Sequence, residues 1–250
     1  MSKEILKVAI NGFGRIGRSF FRLSLIDPSI QIVAINDPAD TKTLAHLLKY
    51  DSIHGVIDRS IQTDNDLILC DDLKVVVTHE KDIKKTRWQQ LNPDFVLESS
   101  GQFKSYDQLK HHLNNGADRC ILSVPPADNT IKMVVLGVND DILSAEDKIV
   151  SNASCTTNNA APMLDVVHQK IGVKQAYIST VHSYTTDQSL HDSPHKDLRR
   201  ARAATQSIVP TTTGAAKALT KIFPDLSNAI GGCGLRVPVP NGSLTDMTLY

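Results

Sequence analysis

The stretch from Ile5 to Ile26 limits the possible folds more than any other part of the chain. Ile5 to Ile10 is a compact apolar run and Asn11 to Gly17 is glycine-rich. Arg18 to Ile26 carries Phe20, Phe21, Leu23 and Leu25, a pattern that suits a helix laid on a sheet. Between them, Gly12-Phe13-Gly14-Arg15-Ile16-Gly17 matches G-x-G-x-x-G. Alone this motif is weak; between a strand and a helix it acquires meaning. The first glycine allows a tight turn, the second lets the main chain approach a pyrophosphate, and the third permits close helix–strand packing. The helix N-terminus then offers unpaired N–H groups to the anion. Ile30 to Ile35 is a second buried-strand candidate that ends at Asn36-Asp37-Pro38. An acidic Asp37 can accept hydrogen bonds from ribose hydroxyls and repels a 2′-phosphate, so the segment predicts NAD rather than NADP.

The alternation continues. Thr43 to Tyr50 and Tyr106 to Asn114 read as helices. Leu67 to His79 reads as two strands split by Asp71-Asp72; Phe95 to Glu98, Cys120 to Ser123 and Lys132 to Leu136 read as further strands. Strands alternating with helices predict a parallel sheet with crossovers. The character changes near Val150. After it come a helix over Asn158 to Lys170, a strand over Gln175 to His182 and a long polar stretch from Ser183 to Ser207. A helix over Gly214 to Ile222 and strands over Gly234 to Val239 and Leu244 to Tyr250 follow. The expected fold class is α/β: a Rossmann-type NAD-binding domain at 1–150, then an α+β domain at 151–250.

Composition excludes several classes. Lys+Arg and Asp+Glu are both 27, so no excess positive charge exists to meet a nucleic-acid backbone. No apolar run is long enough to span a bilayer. Met1 to Lys7 is short and charged and lacks the apolar core of a secretory signal. The four cysteines, Cys70, Cys120, Cys155 and Cys233, are scattered, with no spacing that suggests a metal or a redox pair. A reduced, cytoplasmic setting follows as the expectation.

Ser151-Asn152-Ala153-Ser154-Cys155-Thr156-Thr157-Asn158 sits just before the helix that carries Ala160, Met163, Leu164 and Val167 on one expected buried face. Cys155 is thus expected at a helix N-terminus, where the dipole and free amides stabilise a thiolate and can hold an oxyanion. His182, ending a strand, is a candidate base, though nine histidines compete for that role and an isolated cysteine is commonly a small core residue.

At this point the residues resemble a known family. Asn11 to Arg18, Ser151 to Asn158, Thr180-Val181-His182-Ser183-Tyr184-Thr185 and Arg236-Val237-Pro238 are together similar to phosphorylating glyceraldehyde-3-phosphate dehydrogenase, from the first strand to the last residue. The resemblance implies Cys155 as nucleophile and His182 as base. It implies Ser154, Thr156, Thr213 and Gly214 around an attacking inorganic phosphate, and Thr185, Arg200 and Arg236 as binders of the substrate and its phosphates. Arg199, the immediate neighbour, is the alternative to Arg200, because loop length varies there. Cofactor contacts implied are the glycine loop Gly12, Phe13, Gly14, Arg15, Ile16 and Gly17, with Asp37 and Ser123; Lys81 stands where an Arg often occurs. The stretch from Ser183 to Ser207 resembles an S-loop and implies a homotetramer. No metal is implied. The implied chemistry is attack of the Cys155 thiolate on the aldehyde, with His182 taking its proton. Hydride transfer to NAD leaves a thioester, and phosphate attack then releases an acyl phosphate. Anions of fixed geometry favour Arg over Lys.

The sequence departs from the family pattern in places. Asn159 stands where a second Cys is usual, and Ser99-Ser100-Gly101 replaces Ser-Thr-Gly. The chain also stops at Tyr250, inside an expected strand. A truncated chain with an open strand edge and little activity of its own is the expectation there. Erythrose-4-phosphate oxidation is the alternative enzyme reading, disfavoured by Thr211-Thr212-Thr213-Gly214, which looks like the phosphorylating type; an inactive NAD-binding fragment is the alternative outside enzymes.

Overall fold

The computed structural model describes residues 5–250. The reading of Met1 to Lys7 therefore falls mostly outside the described residues. The chain divides into two compact units, one running to Met133 and adding Ile142–Asn152, the other comprising Val134–Asp141 and Ala153–Tyr250.

In the first unit, β1 (Leu6–Asn11), α1 (Arg15–Ser24), β2 (Ile30–Asn36) and α2 (Thr41–Lys49) come first. A small ladder of β3 (Tyr50–Asp51) and β4 (Gly55–Val56) precedes β5 (Ile61–Asp64), β6 (Leu67–Cys70) and β7 (Leu73–Thr78). Then follow β8 (Phe95–Glu98), α3 (Tyr106–Asn114), β9 (Arg119–Leu122), β10 (Lys132–Met133) and β11 (Ile149–Ser151). Nine strands form one sheet in the order β10-β11-β9-β8-β1-β2-β7-β6-β5. All pairings from β10 through β7 are parallel, and β7-β6-β5 form an antiparallel meander. Alternation along β1 explains the layers. Val8 and Ile10 pack with Phe21 of α1 and Leu44 and Leu48 of α2, while Ala9 joins Ala34, Val96 and Trp88 in a separate cluster. The chain leaves β1 for β2 on one side and returns as β8 on the other. That reversal is a topological switch point, where open α/β sheets bind ligands beyond their strand ends.

The second unit holds α4 (Cys155–Ile171), β12 (Ala176–Ser183), β13 (Val209–Thr211), α5 (Ala215–Ile222), β14 (Ile230–Val237) and β15 (Ser243–Leu249). Its mixed sheet has the order β13-β14-β12-β15. β12 runs parallel to β14 and antiparallel to β15, with His182 in register with Arg236.

Several boundaries differ from expectation. The helix expected from Asn158 begins at Cys155, because the Ser154 hydroxyl caps it by accepting the Thr157 N–H at 3.1 Å. Its buried face is Thr157, Ala160, Ala161 and Leu164; Met163 is exposed, against the periodicity reading. The strand expected to reach Leu136 stops at Met133, and the residues after it join the second unit. Among the described residues, no helix is long and apolar enough to cross a membrane.

Gly116 ends the turn after α3 at φ +104°, where a Cβ would lie 2.5 Å from the Gln89 backbone nitrogen. Left-handed backbone costs an L-residue about 1–2 kcal/mol, and the collision adds to it. Gly116→Ala is expected to lower the melting temperature by at least about 4 °C, taking about 2–4 °C per kcal/mol for a chain of this size. An unchanged melting temperature by calorimetry would show that the turn can move away.

Candidate active site

In the first unit a cleft of about 470 Å³ opens beyond the strand ends, lined by Gly12, Gly14, Asp37, Lys81, Ser99 and Ser100 among others. The glycines are there for different reasons. Gly12 has φ +91°, and a Cβ on it would lie 2.3 Å from Ser100 Cα. A Cβ on Gly17 would strike the Gly12 carbonyl oxygen at 2.4 Å, so α1 can meet the loop only without one. Gly14 precedes the first turn of α1 and has nothing within 4 Å of its Cβ position. The main chain is thus bare where an anion would meet the helix N-terminus, which is the fit a dinucleotide pyrophosphate requires. Asp37 is tied into this loop: Oδ2 accepts the Phe13 N–H at 2.8 Å and Oδ1 the Ala39 N–H at 3.0 Å. The Phe13 side chain is buried and packs edge-on against Phe21 at 5.8 Å. Arg15 and Ile16 lie in the first turn of α1, with Ile16 exposed. Ser123 follows β9 and donates its N–H to the Glu98 carbonyl at 3.0 Å.

In the second unit, Cys155 is the first residue of α4 and is exposed. Its Sγ lies 3.3 Å from His182 Nε2. The contact with His182 is the largest influence on the thiol and outweighs the opposing effect of burial; with help from Thr156 it brings the pKa down to about 7. The same contact raises His182, against the effect of burial. Thiol and imidazole therefore titrate as a coupled pair. The ring is fixed from behind, where His182 Nδ1 lies 2.7 Å from the Ser183 carbonyl. With Nδ1–H donated there, Nε2 is left to face the sulfur. Arg236 Nη1 reaches the same carbonyl at 2.8 Å and lies 2.9 Å from His182 Nδ1, a closeness that follows from their strand register.

The arginines of the polar stretch divide cleanly. Arg199 is half-exposed and forms a two-pronged pair with Asp197, its Nε at 3.0 Å and Nη2 at 2.8 Å, and Arg202 pairs with Asp192 at the surface. Arg200 turns the other way. Its Nε donates to Thr211 Oγ1 at 2.7 Å, and its Nη1 pairs with Asp187. Burial raises the Asp187 carboxyl, but Arg200 and His195 outweigh it and hold it below its usual value. Burial lowers Arg236, and the nearby Arg200 charge lowers it further, so two cations share one neighbourhood. Thr185 is half-buried, and Thr213 and Gly214 precede α5, with Thr213 Oγ1 accepting the Ala215 N–H at 3.1 Å.

Sequence reasoning missed Asp187. It also missed the buried polar residues that end three adjacent strands, Asn11, Asn36 and Glu98. A polar residue closing each apolar run was the available signal.

A glycine loop at a switch point in one unit and a thiol–imidazole pair in the other define a class: NAD-linked dehydrogenases that work through a cysteine. Comparison with known proteins narrows it. Residues 6–106 match the family model "Glyceraldehyde 3-phosphate dehydrogenase, NAD binding domain", and residues 154–250 match its C-terminal domain. The chain is 46% identical over 243 residues to glyceraldehyde-3-phosphate dehydrogenase of Geobacillus stearothermophilus, covering 97% of this chain and 72% of that protein. It is 49% identical to the enzyme of Borreliella burgdorferi, covering 98% and 74%, and 46% identical to glyceraldehyde-3-phosphate dehydrogenase 2 of Bacillus subtilis, covering 98% and 72%. The chain belongs to the glyceraldehyde-3-phosphate dehydrogenase family.

The thiols are expected to separate sharply in reactivity. Burial pushes Cys70 up to about 11 and raises Cys120 as well, so near neutrality Cys155 is ionised where those two are not. Alkylation by iodoacetamide requires the thiolate. Its rate should therefore rise through a midpoint near pH 7 and fall about tenfold per pH unit well below it. Mass spectrometry should find the label on Cys155 first. Equal labelling of Cys70 at pH 7 would contradict the assignment.

Proposed function

We propose that the protein catalyses the NAD-dependent oxidative phosphorylation of glyceraldehyde 3-phosphate to 1,3-bisphosphoglycerate. The observation that carries this reading is the 3.3 Å approach of Cys155 Sγ to His182 Nε2 at the N-terminus of α4. Cys155, as thiolate, adds to the aldehyde carbon, and His182 Nε2–H protonates the resulting oxyanion to give a hemithioacetal. First-turn amides of α4, which have no partners inside the helix, stabilise the oxygen as charge develops. His182 then takes the hydroxyl proton back as the carbon is oxidised to a Cys155 thioester. Bound NAD supplies the hydride acceptor. Phosphate attack on the thioester carbon breaks the C–S bond, releases the acyl phosphate and restores the thiolate.

The remaining residues divide between two tasks. Arg236, Thr185 and Arg200 bind the substrate and its phosphates, and Ser154, Thr156, Thr213 and Gly214 surround the inorganic phosphate. Both arginines pair with a carboxylate, Arg199 with Asp197 and Arg200 with Asp187, but Arg200 is preferred because it shares its neighbourhood with Arg236. For NAD, the loop Gly12 to Gly17 receives the pyrophosphate, with Phe13 acting through a main chain tied to Asp37. Arg15, Ile16, Asp37, Lys81 and Ser123 surround the rest of the cofactor. The stretch from Ser183 to Ser207 is proposed to make subunit contacts in a homotetramer.

The direct test is formation of NADH from glyceraldehyde 3-phosphate and NAD with and without inorganic phosphate. Sustained turnover should need phosphate, and equal steady rates without it would sink the proposal. His182→Asn should lower kcat by about 10²–10⁴-fold. Losing a charge-assisted hydrogen bond costs about 1.5–3 kcal/mol. Arg200→Leu should accordingly raise the KM for glyceraldehyde 3-phosphate by about tenfold or more, while Arg199→Leu stays within about twofold. The reverse ranking would move the role to Arg199.

A further inference from the structure

Glu98 ends β8 with no accessible surface, and it takes no part in the chemistry above. Its carboxylate accepts four hydrogen bonds. Oε2 receives Asn11 Nδ2 at 2.6 Å and His112 Nε2 at 3.0 Å; Oε1 receives the Ser100 backbone N–H at 2.9 Å and its hydroxyl at 2.5 Å. The donor on His112 is fixed by its other side. Nδ1 lies 2.9 Å from Trp88 Nε1, and an indole nitrogen can only donate. Nδ1 therefore accepts from the indole, and it is the Nε2–H of His112 that donates to Glu98.

The order spreads from Glu98 in the other direction too. With its NH₂ given to Glu98, Asn11 presents its oxygen to Asn36 Nδ2 at 2.8 Å. Asn36 then accepts from Thr78 Oγ1 at 2.8 Å and from the Glu80 N–H at 2.9 Å. One chain of hydrogen bonds thus crosses the ends of β8, β1, β2 and β7, beneath the cleft. Asn11, Asn36, Glu80 and Ser100 line that cleft; Glu98, His112 and Trp88 do not.

We propose that Glu98 is the positioning residue of the cofactor cleft: its buried carboxylate, acting through Asn11 and Ser100, holds the walls that receive NAD. An amide at this position cannot do the same. Whichever way its NH₂ points, it meets either the Ser100 N–H or the paired donors of Asn11 and His112. Asn11 cannot turn over to help without losing Asn36. Each buried group left unpaired is costly, so the walls shift instead.

The inference rests on the reading that this cleft holds NAD, and the test separates the two. NAD binding is measured by titration calorimetry on the unmodified chain, on Glu98→Gln and on Leu48→Ala, a core variant on α2 that controls for destabilisation alone. Glu98→Gln is expected to bind NAD at least about tenfold more weakly, the loss of about one net hydrogen bond, with Leu48→Ala within about twofold. Normal affinity in Glu98→Gln, or equal weakening in both variants, overturns the positioning role but leaves the cofactor reading intact. No binding by the unmodified chain sinks both. If Glu98→Gln does not fold, the single tryptophan decides, since its indole N–H gives one resonance. NAD added to the unmodified chain should slow exchange of that proton, and unchanged exchange overturns the proposal.

Discussion

Gly12 lies so close on Ser100 that a single added carbon would be 2.3 Å from its Cα. The first unit is organised by this approach. It brings the loop leaving β1 against the loop leaving β8, at the place where the sheet order reverses. Gly12 has left-handed backbone there, at φ +91°, and the next amide, Phe13 N–H, goes to Asp37. The approach also leaves Gly12 and Ser100 forming one wall of the cleft, while Ser99 Oγ donates to the Gly12 carbonyl at 2.7 Å. A side chain at Gly12 would separate the loops and open this arrangement.

The second unit solves a similar problem with other means. Its exposed thiol, Cys155, also stands where the chain turns sharply into a helix, and the residue in left-handed conformation is Ala153 at φ +64°. Ser154 then caps the helix and Cys155 opens it, so the sulfur is exposed while its neighbours Thr156 and Thr157 are buried. The imidazole comes from a strand whose register puts Arg236 directly beside His182. A rigid sheet thus holds the imidazole and a cation together, while a helix end presents the thiol.

What could be read from the sequence was whatever depends on neighbours in the chain. The limits of α3 match expectation, and the glycine loop lies between a strand and a helix as its spacing demanded. Asp37 was legible as a residue ending a strand, but its bond to Phe13 was not, because it joins segments far apart in sequence. Arg199 and Arg200 were inseparable, since only folding decides which one faces Asp197 and which one faces Thr211. The sequence places the start of α4 too late because Cys155, Thr156 and Thr157 look like a polar loop until Ser154 is seen to cap them. Glu98 was hidden for the same reason: burial of a charge depends on donors supplied by Asn11, Ser100 and His112, which no local pattern announces.

Ala153 narrows what can stand beside Cys155. Its backbone angle disfavours branched side chains, and its 1% exposure leaves no room for long ones. Glycine would fit the angle but would return freedom to the one bend that carries Cys155. Most other residues at position 153 would therefore be felt at the sulfur, although Ala153 contributes only a methyl group and takes no part in the chemistry.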